Sequence, residues 1–486
     1  MKKTIGLLVL FLCLSCTDKD DNAFLYPQET TVQNFIWQGL NQWYFWQAEA
    51  KNLGDDRFAT NEDYVGYLKK YPDPENFFYN TCHRHSNIVG SDAAIDRFSF
   101  VNSDYKTLVN QLNGISKSNG VEFGLVRINQ GKDLYGYVKY IIPNSNASNK
   151  AIARGDIFTR VNGQQLTDEN YTSLLFGEND TYTLGMADIS GSQISDNNKE
   201  VTLTKEVGLV EDPIFVAKTI ESNGIKIGYL MYNGFTQSFN ESLNNTFGGF
   251  KNEGVTELIL DLRYNPGGSV YSSQLLASMI YGTNTEDLYI RQRWNDKIQP
   301  TLKKEQLEDY FTDKTASGTP INSLNLSKVY VLATNSTASA SELVMNGLDP
   351  YMDIVHIGTT TRGKNEFSVT MVDDRENDYI YHKSREGKIN PKNRWAMQPL
   401  MGRNENSVGF SDYTSGLLPD ITLNEDLSNM GSLGDLNEPL LARAIQEIAG
   451  TTGKWDFKVN MPIEELTNSK MFTSLKDHMI LDKSLK

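Results

Sequence analysis

The sequence Thr337-Ala-Ser-Ala-Ser-Glu-Leu343 is a run of small residues between two segments of different periodicity. Residues 328–334 before it are apolar and β-branched, which is typical of a buried strand, and apolar residues after it recur at helical spacing. Small side chains permit a tight turn here, and the start of a helix offers backbone N–H groups without intrahelical acceptors. The pattern predicts an α/β enzyme core that exposes a serine nucleophile at this turn.

A lysine follows the next predicted strand. Residues 353–358 form the second apolar run, and Lys364 comes shortly after it, within Arg-Gly-Lys-Asn. A lysine can take a proton from a serine at neutral pH only if burial disfavours its ammonium form. The two apolar strands supply such burial, so Lys364 is a candidate general base.

Together, Thr-Ala-Ser-Ala-Ser-Glu and the later Gly-Lys resemble the Ser-Lys peptidases of the carboxy-terminal processing (tail-specific) family, peptidase family S41. The resemblance implies that Ser339 is the nucleophile and Lys364 the base, whereas Ser336 and Ser341 do not stand at the matching place. A helix start rich in Ala and Ser also arises from packing alone. Further motifs are needed to decide between the two.

One such motif is Glu257-Leu-Ile-Leu-Asp-Leu-Arg-Tyr-Asn-Pro-Gly-Gly268, a predicted strand that leads into a glycine turn. The family carries a similar motif that supports its oxyanion hole, which implies Gly267, Gly268 and the amide of Ala340 as donors. One such donor is typically worth roughly 3 kcal/mol of the barrier. The family often has a glutamine four residues after the lysine, where this chain has Ser368. Either Ser368 orients the amine, or another residue does, or the site is impaired.

Residues 96–205 resemble a PDZ domain in Pro143-x-Ser-x-Ala147 and in the later Gly-Asp-Ile-Phe-x-x-Val-Asn-Gly. PDZ domains bind a peptide tail as an added strand, with a glycine-containing loop at its carboxylate. The resemblance implies Phe123, Gly124 and Leu125 as the peptide-carboxylate site. The alternative is a domain that only packs against the protease.

The N-terminus has a basic start, a short apolar run and a small residue before Cys16. This pattern is typical of a secretory signal and is too short for a spanning helix. It resembles a bacterial lipoprotein signal, which implies a signal peptide over 1–15, lipidation of Cys16 and a membrane anchor. Residues 16–30 are an acidic tether whose beginning resembles the export tag of surface lipoproteins of the Bacteroidetes. A disordered acidic tether without that role is the alternative.

The remaining segments complete a multidomain α/β and α+β fold. Helical periodicity covers 31–95, the α/β serine-peptidase core covers 212–450 with a polar surface insertion at 284–325, and 451–486 is a C-terminal extension without an assigned role. A net charge of −15 argues against nucleic acid as a partner. Only Cys82 is left besides the signal cysteines, so we predict no intramolecular disulfide and no cysteine–metal cluster. A Ser-Lys peptidase, as the resemblance implies, uses no metal and no cofactor.

These features predict a serine endopeptidase of the bacterial cell envelope, an outer-membrane lipoprotein that acts on unfolded or extended polypeptides and engages their C-terminal tails. The alternative from another class is a catalytically silent surface lipoprotein that binds peptides through its PDZ-like domain. The sequence leaves the physiological substrate, the cleavage preference, the membrane face and the oligomeric state open.

Overall fold

The computed structural model describes residues 24–191, 193–450, 457–473 and 477–481. The predicted signal peptide, Cys16 and the start of the acidic tether lie outside these residues. Within the described ranges, no helix combines the length and the apolar character needed to cross a membrane.

The N-terminal region is a cluster of short helices whose aromatic side chains join the main hydrophobic core. One helix shows how its start is specified, because Asp73 caps it by accepting from the N–H of Asn76 and Pro74 occupies its first position. The rings of Trp43 and Trp294 meet edge to face at 5.9 Å, so these aromatic residues serve packing. The elements are α1 (Thr31–Trp43), α2 (Asn61–Lys69), α3 (Pro74–Thr81), α4 (Ser86–Val89), β1 (Phe100–Asn102) and α5 (Tyr105–Leu112).

The region that the sequence predicts to be PDZ-like is a sheet of antiparallel strands with one short helix and a hydrophobic core of its own. Its strands run in the spatial order β3, β4, β5, β7, β8, while β2 and β9 form a separate ribbon. The elements are β2 (Ile115–Ser118), β3 (Val121–Arg127), β4 (Leu134–Ile141), β5 (Ile157–Val161), β6 (Gln164–Gln165), α6 (Tyr171–Phe176), β7 (Thr181–Ser190), β8 (Gln193–Thr204) and β9 (Glu206–Val210).

The third region alternates strands with helices, as the sequence predicts. Its elements are β10 (Ile214–Ser222), β11 (Ile225–Tyr232), α7 (Asn240–Glu253), β12 (Glu257–Asp261), β13 (Gly268–Ser269), α8 (Val270–Ile280), β14 (Leu288–Trp294), α9 (Lys304–Leu307), β15 (Glu308–Tyr310), β16 (Lys328–Ala333), α10 (Ala340–Leu348), β17 (Asp353–Gly358), β18 (Glu366–Ser368), β19 (Met371–Val372), β20 (Ala396–Gln398), β21 (Leu400–Asn406), β22 (Ile421–Thr422) and α11 (Pro439–Ala449). The C-terminal extension adds β23 (Glu465–Asn468) and β24 (Met479–Ile480).

The central sheet has the order β10, β11, β12, β16, β17, β22, and its strands are parallel except at β10. Its central strands, β11, β12 and β16, are largely buried and apolar, as expected for strands that are covered on both faces. The main core lies on the face with α7, α8 and α10, whereas α11 packs on the other face within a second cluster. Parallel strands direct their carboxyl ends to one edge of the sheet, which is where ligand sites of open α/β sheets lie.

A second six-stranded sheet has the order β13, β24, β18, β21, β14, β15. The prediction of a surface insertion at 284–325 was wrong, because β14 pairs with β21 from Ile290 to Trp294 and lies inside this sheet. Three consecutive polar residues, Arg291-Gln-Arg293, interrupt the apolar pattern by which a strand is recognised in the sequence. The Ile290 and Trp294 side chains on either side of them are nevertheless buried.

A buried ion network fixes the exit of β12. The guanidinium of Arg263, which is fully buried, donates to both carboxylate oxygens of Glu438 at 2.6 and 2.9 Å and to Asp261 at 2.8 Å. Glu438 is also the N-cap of α11. The Asp-Leu-Arg part of the motif therefore clamps the strand end to a helix and holds the following glycine turn in place.

Candidate active site

The predicted nucleophile, Ser339, lies at a sharp turn between β16 and α10. Its backbone has φ 62° and ψ −116°, a conformation that costs a non-glycine residue on the order of 1–3 kcal/mol. Strain of this kind concentrates at functional sites, and an analogous strained turn exposes the nucleophile of other α/β hydrolytic enzymes. The Ser339 side chain is buried, and its Oγ makes no hydrogen bond with any part of the chain that the structure describes.

A buried carboxylate, Glu342, ties the nucleophile turn to the base loop. It accepts from the N–H of Ser339 at 2.7 Å, of Gly363 at 2.6 Å and of Lys364 at 2.9 Å, and from the Thr361 hydroxyl at 2.5 Å. Burial raises the pKa of this carboxyl to about 7 despite these donors. One side chain thus sets the position of Ser339 relative to Lys364.

The predicted base, Lys364, is also buried. Desolvation lowers the pKa of its amine to about 8, while nearby carboxylates, that of Asp477 first, act in the opposite direction. The amine lies 5.3 Å from the centre of the Phe98 ring. With a pKa of about 8, roughly a tenth of this amine is unprotonated at pH 7, far more than for an ordinary lysine, and the free amine is the form that a base requires.

Of the three predicted oxyanion donors, Gly268 is the one whose N–H points at a peptide carbonyl: it donates to the oxygen of His478 at 2.5 Å. Ala340 is the first residue of α10, so its N–H has no acceptor within the helix. The N–H of Gly267 donates instead to Oδ1 of Asn265 at 2.9 Å. In this structure the Gly267 N–H is thus occupied, and its role as an oxyanion donor stays a prediction.

Gly267 acts through the absence of a side chain. It has φ 108°, and a Cβ built on it would lie 2.4 Å from the His478 oxygen and 2.6 Å from Cβ of Ser339. Only glycine allows the nucleophile and a peptide backbone to approach each other so closely. Asn265 supports the turn, because its own carbonyl accepts from the Ala338 N–H at 3.1 Å and its amide donates to the carbonyl of Tyr232 at 2.8 Å.

Ser368 lies in β18, and its hydroxyl faces the C-terminal extension. Its Oγ is 3.5 Å from the carbonyl oxygen of Met479. The Lys364 amine donates to the carbonyl of Asp477, and neither Ser368 nor Ser339 is bonded to it among the described residues. Orientation of the amine by Ser368 stays a prediction for a state without the extension.

The predicted peptide-carboxylate residues, Phe123 to Leu125, lie inside strand β3 and not in a loop. The edge of β3 that faces away from β4 pairs antiparallel with β23 of the same chain, with Gly124 opposite Asn468 and Leu125 opposite Thr467. The edge thus accepts an added strand, as a PDZ-type site does, and the chain itself occupies it here. Carboxylate binding at these residues stays a prediction.

Sequence reasoning missed Glu342 and Arg97. Glu342 stands three residues after Ser339, the Ser-x-x-Glu spacing of a capping box, so this signal was present. The guanidinium of Arg97 donates to the carbonyl oxygens of Gly363 and Thr414, which braces the base loop from the N-terminal region. Nothing in the sequence near Arg97 indicates this distant contact. Across the described ranges, no group of three or more His, Cys, Asp or Glu side chains is arranged to hold a metal ion.

Two family models match the chain. The model described as peptidase family S41 matches residues 226–398, and the model described as the peptidase S41 N-terminal domain matches residues 31–100. The first contains the nucleophile turn, the base and the glycine turn. The second is the cluster of short helices.

Individual proteins with similar sequences are also carboxyl-terminal-processing peptidases. The chain is similar to carboxyl-terminal-processing peptidase 3 of the Arabidopsis thaliana chloroplast, with 26% identity over 246 residues, 48% of this chain and 43% of that protein. It is 26% identical to a carboxyl-terminal-processing protease of Picosynechococcus over 35% of this chain and 36% of the relative. The matches thus span less than half the length of these relatives.

Among solved structures, an S41 protein from Bacteroides fragilis aligns with a TM-score of 0.64 and 28% identity, over 86% of this chain and 97% of the other. The photosystem II D1 C-terminal processing protease aligns with a TM-score of 0.51 and 18% identity, over 87% and 98%. The second likeness is one of fold alone.

Proposed function

The chain belongs to peptidase family S41, and we propose that it is a serine endopeptidase that hydrolyses polypeptides with Ser339 and Lys364. The observation that carries the proposal is Glu342, which holds the backbones of both residues at once. A strained, buried serine and a buried lysine of lowered pKa are thus tied to the same carboxylate, and perturbed groups of this kind concentrate at functional sites. The glycine turn at 267–268 adds a donor aimed at a peptide carbonyl.

In the proposed reaction, the free amine of Lys364 takes the proton as the Ser339 oxygen attacks the substrate carbonyl carbon. The N–H of Gly268, with that of Ala340, stabilises the negative oxygen that forms. The lysine then gives the proton to the leaving amine, and water attacks the acyl-enzyme with the same base. Hydrolysis of an unfolded polypeptide by the natural chain, lost in Ser339→Ala, is the result this function requires. Hydrolysis by neither chain favours the silent peptide-binding alternative.

We further propose that the PDZ-like domain engages the C-terminal tail of a substrate along β3, where β23 now lies. A peptide with a free apolar C-terminus is expected to bind Ser339→Ala more tightly than its amidated twin, because amidation removes the charge that the N–H groups near Phe123 would meet. Fluorescence anisotropy with the two labelled peptides measures the difference. Equal affinity would leave the domain as a spacer.

The proposed location is the bacterial outer membrane, through lipidated Cys16. The support is the sequence pattern of residues 1–16 alone. Cys16→Ala is expected to move the protein from the membrane to the soluble fraction or to leave it uncleaved, because the acceptor sulfur is lost. Fractionation with immunoblotting measures this, and added protease on intact cells tests which face it occupies. Unchanged membrane association of a correctly processed variant excludes the anchor.

A further inference from the structure

The C-terminal extension enters the active site. Strand β24 lies between β13 and β18 and is parallel to both, with Met479 opposite Gly268 and Ile480 opposite both Ser269 and Ser368. Without it, these two strands would be separated by a slot one strand wide. Their hydrogen-bonding edges both face this slot, so an extended peptide can pair with both.

The extension is held there by backbone bonds that any peptide can make. The His478 carbonyl accepts from Gly268, and the Leu481 N–H donates to the carbonyl of Ser368 at 3.0 Å. These bonds involve only backbone groups and do not depend on a particular side chain. They are the bonds expected of a bound substrate, with the His478 carbonyl at the proposed oxyanion donor.

The side chains of the extension indicate what kind of peptide the slot takes. Met479 and Leu481 are buried in the main core, and Ile480 borders a cavity of about 780 Å³. Apolar side chains line much of that cavity, among them Phe235, Ile298, Leu302 and Val369. An apolar, extended segment is therefore the ligand that fits.

In this arrangement the catalytic pair is disconnected. The amine of Lys364 is engaged by the Asp477 carbonyl, and Ser339 Oγ has no hydrogen-bond partner among the described residues. The Asp477 carboxylate, paired with Arg362 at 3.3 Å, also favours the ammonium form of the lysine, which cannot accept a proton. The extension thus occupies the site without being poised for cleavage.

A second contact keeps the extension close to the slot. Strand β23 is paired with β3, the Phe123 N–H donates to the hydroxyl of Ser469 at 3.0 Å, and the Phe472 ring stacks on Phe176 at 3.9 Å. A segment tethered a few residues from its site has an effective concentration on the order of millimolar. Even a weak ligand is then largely bound.

We propose that the slot between β13 and β18 is a binding site for an extended apolar peptide and that residues 477–481 are its resident ligand. These residues act as an internal inhibitor, because Lys364 cannot accept the Ser339 proton until they leave. The inhibitory part rests on the proposed function of these two residues. The binding part does not.

The test of binding uses the full chain with Ser339→Ala and, as probe, a fluorescein-labelled synthetic peptide with the sequence of residues 474–486. Adding Met479→Asp places a charge where the side chain is fully buried, which expels the resident segment. The probe is then expected to bind at least about tenfold more tightly, because the fraction of open sites rises. Val207→Asp is the control, since Val207 is 83% exposed in β9, away from both the slot and β23, and its variant should bind like the parent. Equal affinity of all three chains overturns the proposal.

Activity separates this inference from the proposed function. With Ser339 intact, Met479→Asp is expected to hydrolyse an unfolded polypeptide at least about tenfold faster than the natural chain. Tighter probe binding without hydrolysis by either chain keeps the site and refutes the peptidase. Hydrolysis by the natural chain, with neither tighter binding nor faster turnover in the variant, refutes the inhibitor.

Two measurements on the natural chain test whether β24 is instead a permanent structural strand or a substrate of the enzyme. Hydrogen exchange is expected to be faster at 477–481 than in β16, and equal protection would make β24 a permanent structural strand. The intact mass is expected to include residues 479–486. Their loss in the natural chain, but not in Ser339→Ala, would make the extension a substrate and overturn its inhibitory role.

Discussion

Ser339→Ala is expected to lower peptide hydrolysis by roughly 10⁴-fold or more, because removal of a nucleophile leaves only binding and oxyanion stabilisation. The fold should persist. The Oγ makes no hydrogen bond with the described part of the chain, so its removal breaks none there. Cleavage of a fluorogenic unfolded polypeptide measures the rate, and thermal unfolding checks the fold.

Ser341→Ala is the matched control for that variant. Ser341 lies two residues further on, is equally buried, and donates to the Asn265 carbonyl at 3.1 Å. Its loss should cost about 1 kcal/mol of stability and leave hydrolysis largely intact. An inactive Ser341→Ala beside an active Ser339→Ala would show that the nucleophile is wrongly assigned.

Lys364→Arg is expected to lower hydrolysis by roughly 10²- to 10⁴-fold although it keeps the positive charge, because a guanidinium does not lose its proton and cannot act as a base. The backbone N–H that bonds Glu342 is unchanged, so the loop keeps this tie. Initial rates over a range of pH measure the effect. Substantial hydrolysis by Lys364→Arg that Ser339→Ala abolishes in the same background would mean that another group is the base.

The sequence predicts the parts of the site that depend on local pattern. Ser339 lies between a strand and a helix because small residues follow an apolar run. The glycine turn follows β12 because the apolar run of that strand ends in Asn-Pro-Gly-Gly. The N–H of Gly268 donates to a peptide carbonyl, and its role as an oxyanion donor stays a prediction. The pattern cannot tell whether the Gly267 amide is free or, as here, donates to the Asn265 side chain, so its role as an oxyanion donor stays a prediction.

The parts that could not be predicted depend on pairing between distant segments. Strand β24 has two residues and finds both partners far away in the sequence, Gly268 on one side and Ser368 on the other. So short a strand shows no periodicity of its own. The same holds for the brace from Arg97 to the carbonyl of Gly363. Strand β14 was missed for another reason, since three polar residues interrupt its apolar pattern.

The pH dependence of kcat/KM of the natural chain tests most directly that a buried lysine activates Ser339. Burial lowers the pKa of Lys364 to about 8, and the free amine is the active form. The account predicts that kcat/KM rises by at least about tenfold per pH unit below that value, since the Glu342 carboxyl, with its pKa raised to about 7, loses its proton in the same range, and that kcat/KM becomes constant above it. A kcat/KM that is independent of pH between about 6 and 9, or that falls as pH rises, would contradict the account.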